Sequence, residues 1–213
     1  MNRPRLLIAD DHTLVVEGFR KLLEPAFELA DVAEDGRAMV AKALDLRPDV
    51  VLADIAMPIL NGIEAARQLH RAAPDIKIVF VTMHSDPAYV AAALDAGAAG
   101  YLLKRSAASE LTVALAEVLA GRTYITSLIP ADKIEALLRA SRSGRPFEQD
   151  LTSRQREVLQ LVAEGRTSKE IAAILHISVK TVEFHKAGIM ERLGLRTTAE
   201  LTRYALEHGI VGA

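Results

Sequence analysis

Asp10 and Asp11, Asp54, Thr82 and Lys104 are spread over 95 residues, yet each lies at the end of a short apolar run: Arg5–Ala9, Val50–Ala53, Ile76–Thr82 and Gly100–Leu103. Taken singly they mean little. An aspartate at a strand end ordinarily caps a helix or forms a turn, Asp10-Asp11 before a helix could serve only as a cap with a favourable dipole contact, and a lone lysine ordinarily carries its charge to water on an apolar stem. Together, on the rim of one sheet, the three carboxylates cannot all stay ionised without a cation. Hard oxygen donors in a partly hydrated site suit Mg2+ better than zinc. A carboxylate beside such a cation can attack phosphorus, and Asp54, just before the Met57-Pro58 turn, is the candidate. Lys104 and the Thr82 hydroxyl would then bind the phosphoryl oxygens left free.

Positioning those groups requires a particular architecture. Residues 1–121 alternate apolar runs, among which Leu29–Ala33 is a further one, with Ala/Leu-rich amphipathic stretches at Leu14–Leu23, Arg37–Leu46, Ile63–Ala72, Ala88–Asp95 and Ala107–Ala120. The runs are continuous rather than alternating, as strands buried on both faces should be. Strict βα alternation with short connections predicts an α/β domain with a doubly wound, five-stranded parallel sheet. In such sheets ligands bind beyond the carboxyl ends of the strands. That is where the five groups fall.

Residues 122–149 read as a linker that admits a short helix over Pro130–Arg139 and a polar joint over residues 141–146. Residues 150–213 read as a small all-α domain of four helices, near 153–164, 168–175, 179–193 and 198–208. Three Thr-x-x-Gln/Glu capping boxes start helices at Thr152, Thr167 and Thr197. Ser178 is a fourth N-cap, and Gly165, Gly194 and Gly209 stand where a helix end wants a left-handed residue. Ser168–His176, a tight turn and Val179–Leu193 have the form of a helix-turn-helix, although any small bundle shares it. On a helical wheel Val182, Ile189 and Leu193 make a core stripe with Lys186 beside it. Lys180, Phe184, Ala187 and Glu191 point the other way. A solvent-facing phenylalanine makes sense against base edges, where apolar groups meet the thymine methyl and a glutamate accepts from cytosine.

The motifs Asp10-Asp11, Asp54-Ile55-Ala56-Met57-Pro58 with Asn61-Gly62, Val81-Thr82-Met83-His84 and Tyr101-Leu102-Leu103-Lys104 resemble the receiver domain of two-component response regulators of the NarL/FixJ type. Leu151–Leu159, Lys169-Glu170-Ile171-Ala172 and Ser178–His185 resemble their LuxR-type helix-turn-helix. The resemblance implies a flavodoxin-like receiver phosphorylated on Asp54 by a sensor histidine kinase, with Mg2+ held by Asp10, Asp11, Asp54 and the Ala56 carbonyl. Thr82 and Tyr101 would form the switch pair; by pattern alone Tyr101 is a half-exposed aromatic at the sheet edge. Ala56 and His84 would flank the path of a hydrolytic water. Glu183, Phe184 and Ala187 would face bases while Lys180, Thr181, His185 and Lys186 hold phosphates of double-stranded DNA. The final helix would be a dimer seam, though its pattern equally closes the domain's own core. Activation would produce a homodimer that acts with RNA polymerase. Ile59, where glycine is common, Arg105, where an acid is frequent, and Gly188, where a longer residue is common, depart from the family pattern.

Composition narrows the alternatives. Residues 1–121 carry net −5, the linker +2 and residues 150–213 +1, so charge supplies no nucleic-acid footprint and the DNA assignment rests on geometry. Uncharged runs reach nine residues against about 20 for a bilayer span, and the first residues lack a signal-peptide core, so a cytoplasmic protein with no membrane contact is expected. With no cysteine there is no thiol nucleophile and no thiolate metal site. A small aspartyl-phosphate phosphohydrolase fits less well, because the chain lacks a lid insertion and carries a reading head. The expectation is a phosphate acceptor that loses its own phosphate rather than a turnover enzyme. A phosphorylation-independent DNA-binding regulator is the other alternative, and no Gly-x-Gly-x-x-Gly follows the first strand to suggest a nucleotide site.

Overall fold

The computed structural model describes residues 3–142 and 151–211. The remainder of the joint expected over residues 141–146, from Ser143 onward, lies outside the described residues.

The first domain runs β1 (Arg5–Ala9), α1 (Thr13–Leu23), β2 (Glu28–Ala33), α2 (Gly36–Leu46), β3 (Val50–Ala53), α3 (Gly62–Ala72), β4 (Lys77–Thr82), α4 (Pro87–Asp95), β5 (Gly100–Leu103) and α5 (Ala107–Leu119). Strand order is β2-β1-β3-β4-β5-β6, the last being a short strand at Tyr124–Ile125, and every pairing is parallel. Period-two alternation splits each central strand between two cores. Leu7, Ala9, Val51, Ala53, Ile78 and Phe80 pack with Met39 of α2, Leu69 of α3 and Val90 of α4. Leu6, Ile8, Val50, Leu52, Val79 and Val81 pack with Val16 of α1 and Leu111 and Leu115 of α5. Both faces are covered, which is why these strands read as unbroken apolar runs.

The expectation of five strands needs one correction. A sixth, β6 (Tyr124–Ile125), extends the sheet from within the stretch read as linker. Two residues carry no periodicity to detect. The strand is tied down instead by side chains, since the Tyr124 and Thr126 hydroxyls both donate to Glu110 of α5 at 3.1 Å. A helix, α6 (Ala131–Arg142), follows and packs on α4 through Ile134 and Leu138.

The second domain is α7 (Ser153–Ala163), α8 (Ser168–Leu175), α9 (Val179–Leu193) and α10 (Thr198–Glu207) around a core that includes Val158, Leu159, Ile171, Val182, Ile189 and Leu201. All three capping boxes form, and the Ser178 side chain accepts from the Thr181 N–H at 3.0 Å. Gly165, Gly194 and Gly209 all have positive φ. Each cap is worth about 1 kcal/mol, a large share of the stability of a domain this small.

Candidate functional site

The site lies at the carboxyl ends of β1, β3, β4 and β5, where order in space replaces distance in sequence. Asp10 and Asp54 follow β1 and β3 directly and are 3% and 4% exposed. Lys104 follows β5, and its Nζ donates to Asp10 Oδ2 at 2.8 Å and Asp54 Oδ2 at 2.7 Å. Burial alone would lower the pKa of Lys104, but its hydrogen bonds and attraction to the two aspartates prevail and raise it. The ammonium is therefore a fixed charge that offsets one of the carboxylates. Asp11 stays open to solvent on the outer side. Thr82 is fully buried, and its hydroxyl oxygen accepts a long hydrogen bond from the His84 N–H at 3.5 Å.

One carboxylate oxygen from each of Asp10, Asp11 and Asp54 and a ring nitrogen of His12 lie within 4.8 Å of one another. Three carboxylates with one side open to water fit the hard, partly hydrated coordination of Mg2+. His12, which sequence reasoning passed over, has Nδ1 3.0 Å from both Asp10 Oδ1 and Asp11 Oδ1. Its place beside the aspartate pair was the available signal.

The backbone at Asp54 is held by close approach. A Cβ at Gly62 would lie 2.0 Å from the Asp54 carbonyl oxygen, so Gly62 is a steric requirement of this turn. Asn61 caps α3 by accepting from the Glu64 N–H at 2.9 Å. Ile59 sits in the left-handed region at φ 68°, which costs a β-branched residue of order 1–3 kcal/mol.

Tyr101 is fully buried, and its hydroxyl donates to the His84 carbonyl at 2.9 Å. Burial, reinforced by the negative charge of neighbours including Asp54, pushes the phenol well above its ordinary pKa and keeps it a donor. The half-exposed edge position that pattern alone suggested is therefore corrected: Tyr101 lies in the core, its ring 6.4 Å from Phe80. His84 stacks on Tyr89 with ring centroids 4.2 Å apart, and burial lowers its pKa despite the pull of Asp54.

In the second domain α9 places Val182 and Ile189 in the core, with Leu193 partly buried. Lys180, Glu183, Phe184 and Ala187 face solvent, Phe184 at 75% exposure, while Thr181, His185 and Lys186 are half-buried. Glu183 is engaged by the Ser168 hydroxyl and lies 3.6 Å from Lys186. Among the described residues no helix is long and apolar enough to cross a membrane.

A parallel sheet whose rim gathers aspartates around one lysine, joined to a helix-turn-helix with its reading face in solvent, defines a receiver coupled to a DNA-binding head. Comparison with known proteins agrees. Residues 6–116 match the response regulator receiver domain, and residues 149–205 match the bacterial regulatory proteins of the luxR family. The transcriptional regulatory protein MctR of Rhizobium johnstonii is 37% identical over 211 residues, covering 97% of this chain and 95% of that protein. The oxygen regulatory protein NreC of Staphylococcus epidermidis is 37% identical over 212 residues, covering 95% and 97%. Among solved structures, the RcsB response regulator of Salmonella typhimurium aligns with a TM-score of 0.63 at 32% identity, covering 96% and 97% of the two chains. RcsB bound to promoter rprA in the presence of the phosphomimetic BeF3− aligns at 0.62 and 31%, covering 95% and 98%. The chain belongs to the two-component response regulators of the NarL/FixJ type, in which a receiver is joined to a LuxR-type DNA-binding domain that regulates transcription.

Proposed function

We propose that Asp54 accepts a phosphoryl group from a sensor histidine kinase and that this controls pairing and DNA binding by the second domain. The observation that carries the reading is Lys104 Nζ lying within 2.8 Å of both Asp10 and Asp54 on a rim that Asp11 completes. Asp10, Asp11, Asp54 and the Ala56 carbonyl would hold Mg2+, which would supply charge neutralisation for the transferred phosphoryl group.

In the transfer, Asp54 Oδ forms a bond to phosphorus as the P–N bond of the kinase's phosphohistidine breaks and the imidazole leaves with the electron pair. Lys104 exchanges one carboxylate partner for a phosphoryl oxygen, and the Thr82 hydroxyl donates to another. Drawing Thr82 towards the phosphate disturbs the segment that ends at His84, whose carbonyl Tyr101 holds. The added charge of roughly −1.5 to −2 thereby biases a two-state element around β4 and α4. His84 and Ala56 flank the acyl phosphate and set how fast water removes it, so the chain loses its own phosphate without being a turnover enzyme.

On DNA, Glu183, Phe184 and Ala187 read base edges from the major groove while Lys180, Thr181, His185 and Lys186 hold phosphates. A homodimer places two such helices about one helical turn apart or a multiple of it. The RcsB dimers bound to DNA among the solved relatives support that assembly. The protein acts in the cytoplasm, with RNA polymerase as its further partner. Treating wild type and Asp54→Ala with acetyl phosphate or kinase and Mg2+ tests the switch. Phosphate should raise DNA affinity and dimer content in wild type only, and equal behaviour of both proteins would refute it.

A further inference from the structure

The second domain rests on the receiver through α7. Gln160 Nε2 donates to the Met57 carbonyl at 3.0 Å, its Oε1 accepts from the Asn61 N–H at 2.7 Å, and the Ile59 N–H donates to Glu164 Oε1 at 2.9 Å. None of these bonds involves α9, whose Glu183, Phe184 and Ala187 stay in solvent. The arrangement of the reading face is therefore set by the second domain's own residues.

On that face Glu183 is held from two sides. Its Oε1 accepts from the Ser168 hydroxyl across the turn between α8 and α9, and the same oxygen lies 3.6 Å from Lys186 Nζ, one turn along α9. Both contacts fall on Oε1, so Oε2 carries none among the described residues, and 55% of the side chain is open to solvent. Ser168 is itself fixed. It is the first residue of α8, and the capping box holds the backbone that carries it: the Thr167 hydroxyl oxygen accepts from the Glu170 N–H at 3.3 Å, and Glu170 Oε2 accepts from the Thr167 N–H at 2.8 Å. A serine hydroxyl has one proton. With that proton committed to Glu183, Ser168 has none for a phosphate.

A carboxylate on a surface that approaches DNA meets phosphates of its own sign, and Lys186 offsets that charge. Glutamate is among the side chains that lose most rotamer freedom on being fixed. Ser168 imposes the order before any DNA arrives, which lowers the entropy cost of a contact made by Oε2. An ionised carboxylate only accepts hydrogen bonds. In the major groove guanine and thymine present acceptors that repel it, and adenine sets its N7 acceptor beside its amino group, whereas cytosine presents the N4 amino donor alone.

We propose that Ser168 is a positioning residue for base recognition: by tying Glu183 Oε1 it holds Oε2 as the acceptor for a cytosine N4 amino group, so that the two side chains select a C·G pair at one position of the DNA site. This rests on the assignment of α9 as the DNA-reading helix above. Ser168 does not touch DNA in this scheme and acts through Glu183.

The test uses full-length wild type, Ser168→Ala, Ser168→Thr and Glu183→Gln, each treated with acetyl phosphate and Mg2+. Duplexes are selected from a pool of random sequence. Fluorescence anisotropy then compares the selected duplex with versions in which each base pair is exchanged, and melting temperatures are recorded. Wild type should prefer cytosine at one position, and Ser168→Ala should lower that preference about tenfold, equivalent to about 1.4 kcal/mol, while preferences at other positions persist. Ser168→Thr keeps the hydroxyl and should restore the preference for cytosine. Glu183→Gln adds an amide donor and should move the preference to adenine. A lower melting temperature for Ser168→Ala, with every sequence bound more weakly and the cytosine preference intact, makes the contact a brace between helices and overturns the proposal. Loss of the preference in Glu183→Gln but not in Ser168→Ala overturns the positioning role, and a selected site with no cytosine sensitive to Glu183 overturns the acceptor role. Wild type that binds all duplexes alike refutes α9 as the reading helix.

Discussion

Gly62→Ala perturbs the phosphoacceptor without touching a reactive side chain. The new methyl would stand 2.0 Å from the Asp54 carbonyl oxygen, 3.0 Å from its carbon and 3.0 Å from Phe80 Cε1. The first of these is backbone fixed in the sheet, since the Asp54 N–H donates to the Ala9 carbonyl at 2.8 Å. Reaching a tolerable contact requires about 1 Å of movement between the start of α3 and the end of β3. Overpacking of this kind costs about 1–3 kcal/mol, and the helix gain of alanine over glycine, about 1 kcal/mol at most, is smaller at the first helical position. A net loss of about 2 kcal/mol should lower the melting temperature by about 4–8 °C. A shift of about 1 Å at a reacting group costs on the order of 100-fold in rate, so uptake from acetyl phosphate, followed by phosphate-affinity electrophoresis, should fall by that factor. Gly18→Ala is the control: nothing lies within 4 Å of its added methyl in the middle of α1, so it should stabilise by about 0.5–1 kcal/mol and leave uptake unchanged. Wild-type melting and uptake within about threefold for Gly62→Ala would refute the steric account of this turn.

Three other perturbations follow from the same geometry. Lys104→Ala leaves Asp10 and Asp54 facing each other without their cation; breaking a buried pair costs about 3–5 kcal/mol, and the open Asp11 side reduces this to about 2–3 kcal/mol, measured by urea unfolding and largely restored by millimolar Mg2+. Glu64 is buried, which opposes ionisation, but Arg156 and its other hydrogen-bonding partners win and hold its pKa below the ordinary 4.5. Its contribution is therefore complete above 4.5 and disappears as pH falls through the lower folded value, so wild type should lose stability in that acid window and Glu64→Gln should lack that component. Phe184→Ala, at a residue 75% exposed, should change stability by less than about 0.5 kcal/mol while lowering discrimination between DNA sequences by about 1–3 kcal/mol. Lys180→Ala should instead weaken all sequences alike and reduce the salt slope of binding by about 1, as read by fluorescence anisotropy.

The receiver rim was legible because its groups are tied to strand ends, and strand ends are announced by composition. A run such as Val50–Ala53 must be buried on both faces, so the next residue, Asp54, must emerge at the rim. The same logic placed Lys104 and the core stripe of α9, where Val182 and Ile189 recur at helical spacing and are fully buried. Strand β6 was illegible because two residues have no period, and it exists through hydroxyl contacts to Glu110 made across 14 and 16 residues. Tyr101 was misplaced by pattern alone because the cavity that receives it is built by neighbouring strands and α4, which no local spacing reveals.

The interdomain contact shows the other limit. Gln160 of α7 and Glu164, the residue that caps its end, lie one turn apart and read as ordinary helix residues, and their partners are turn atoms about 100 residues away. Three of those partners are backbone groups, which carry no sequence signal at all. The single trace was Ile59, standing where the family commonly has glycine. A glycine would adopt φ 68° freely, and isoleucine at the same angle has to be held there. The residue that looked like a departure in loop detail is thus the one whose cost must be met by something outside the loop, and the hydrogen bond from its own N–H leads directly to the DNA-binding domain.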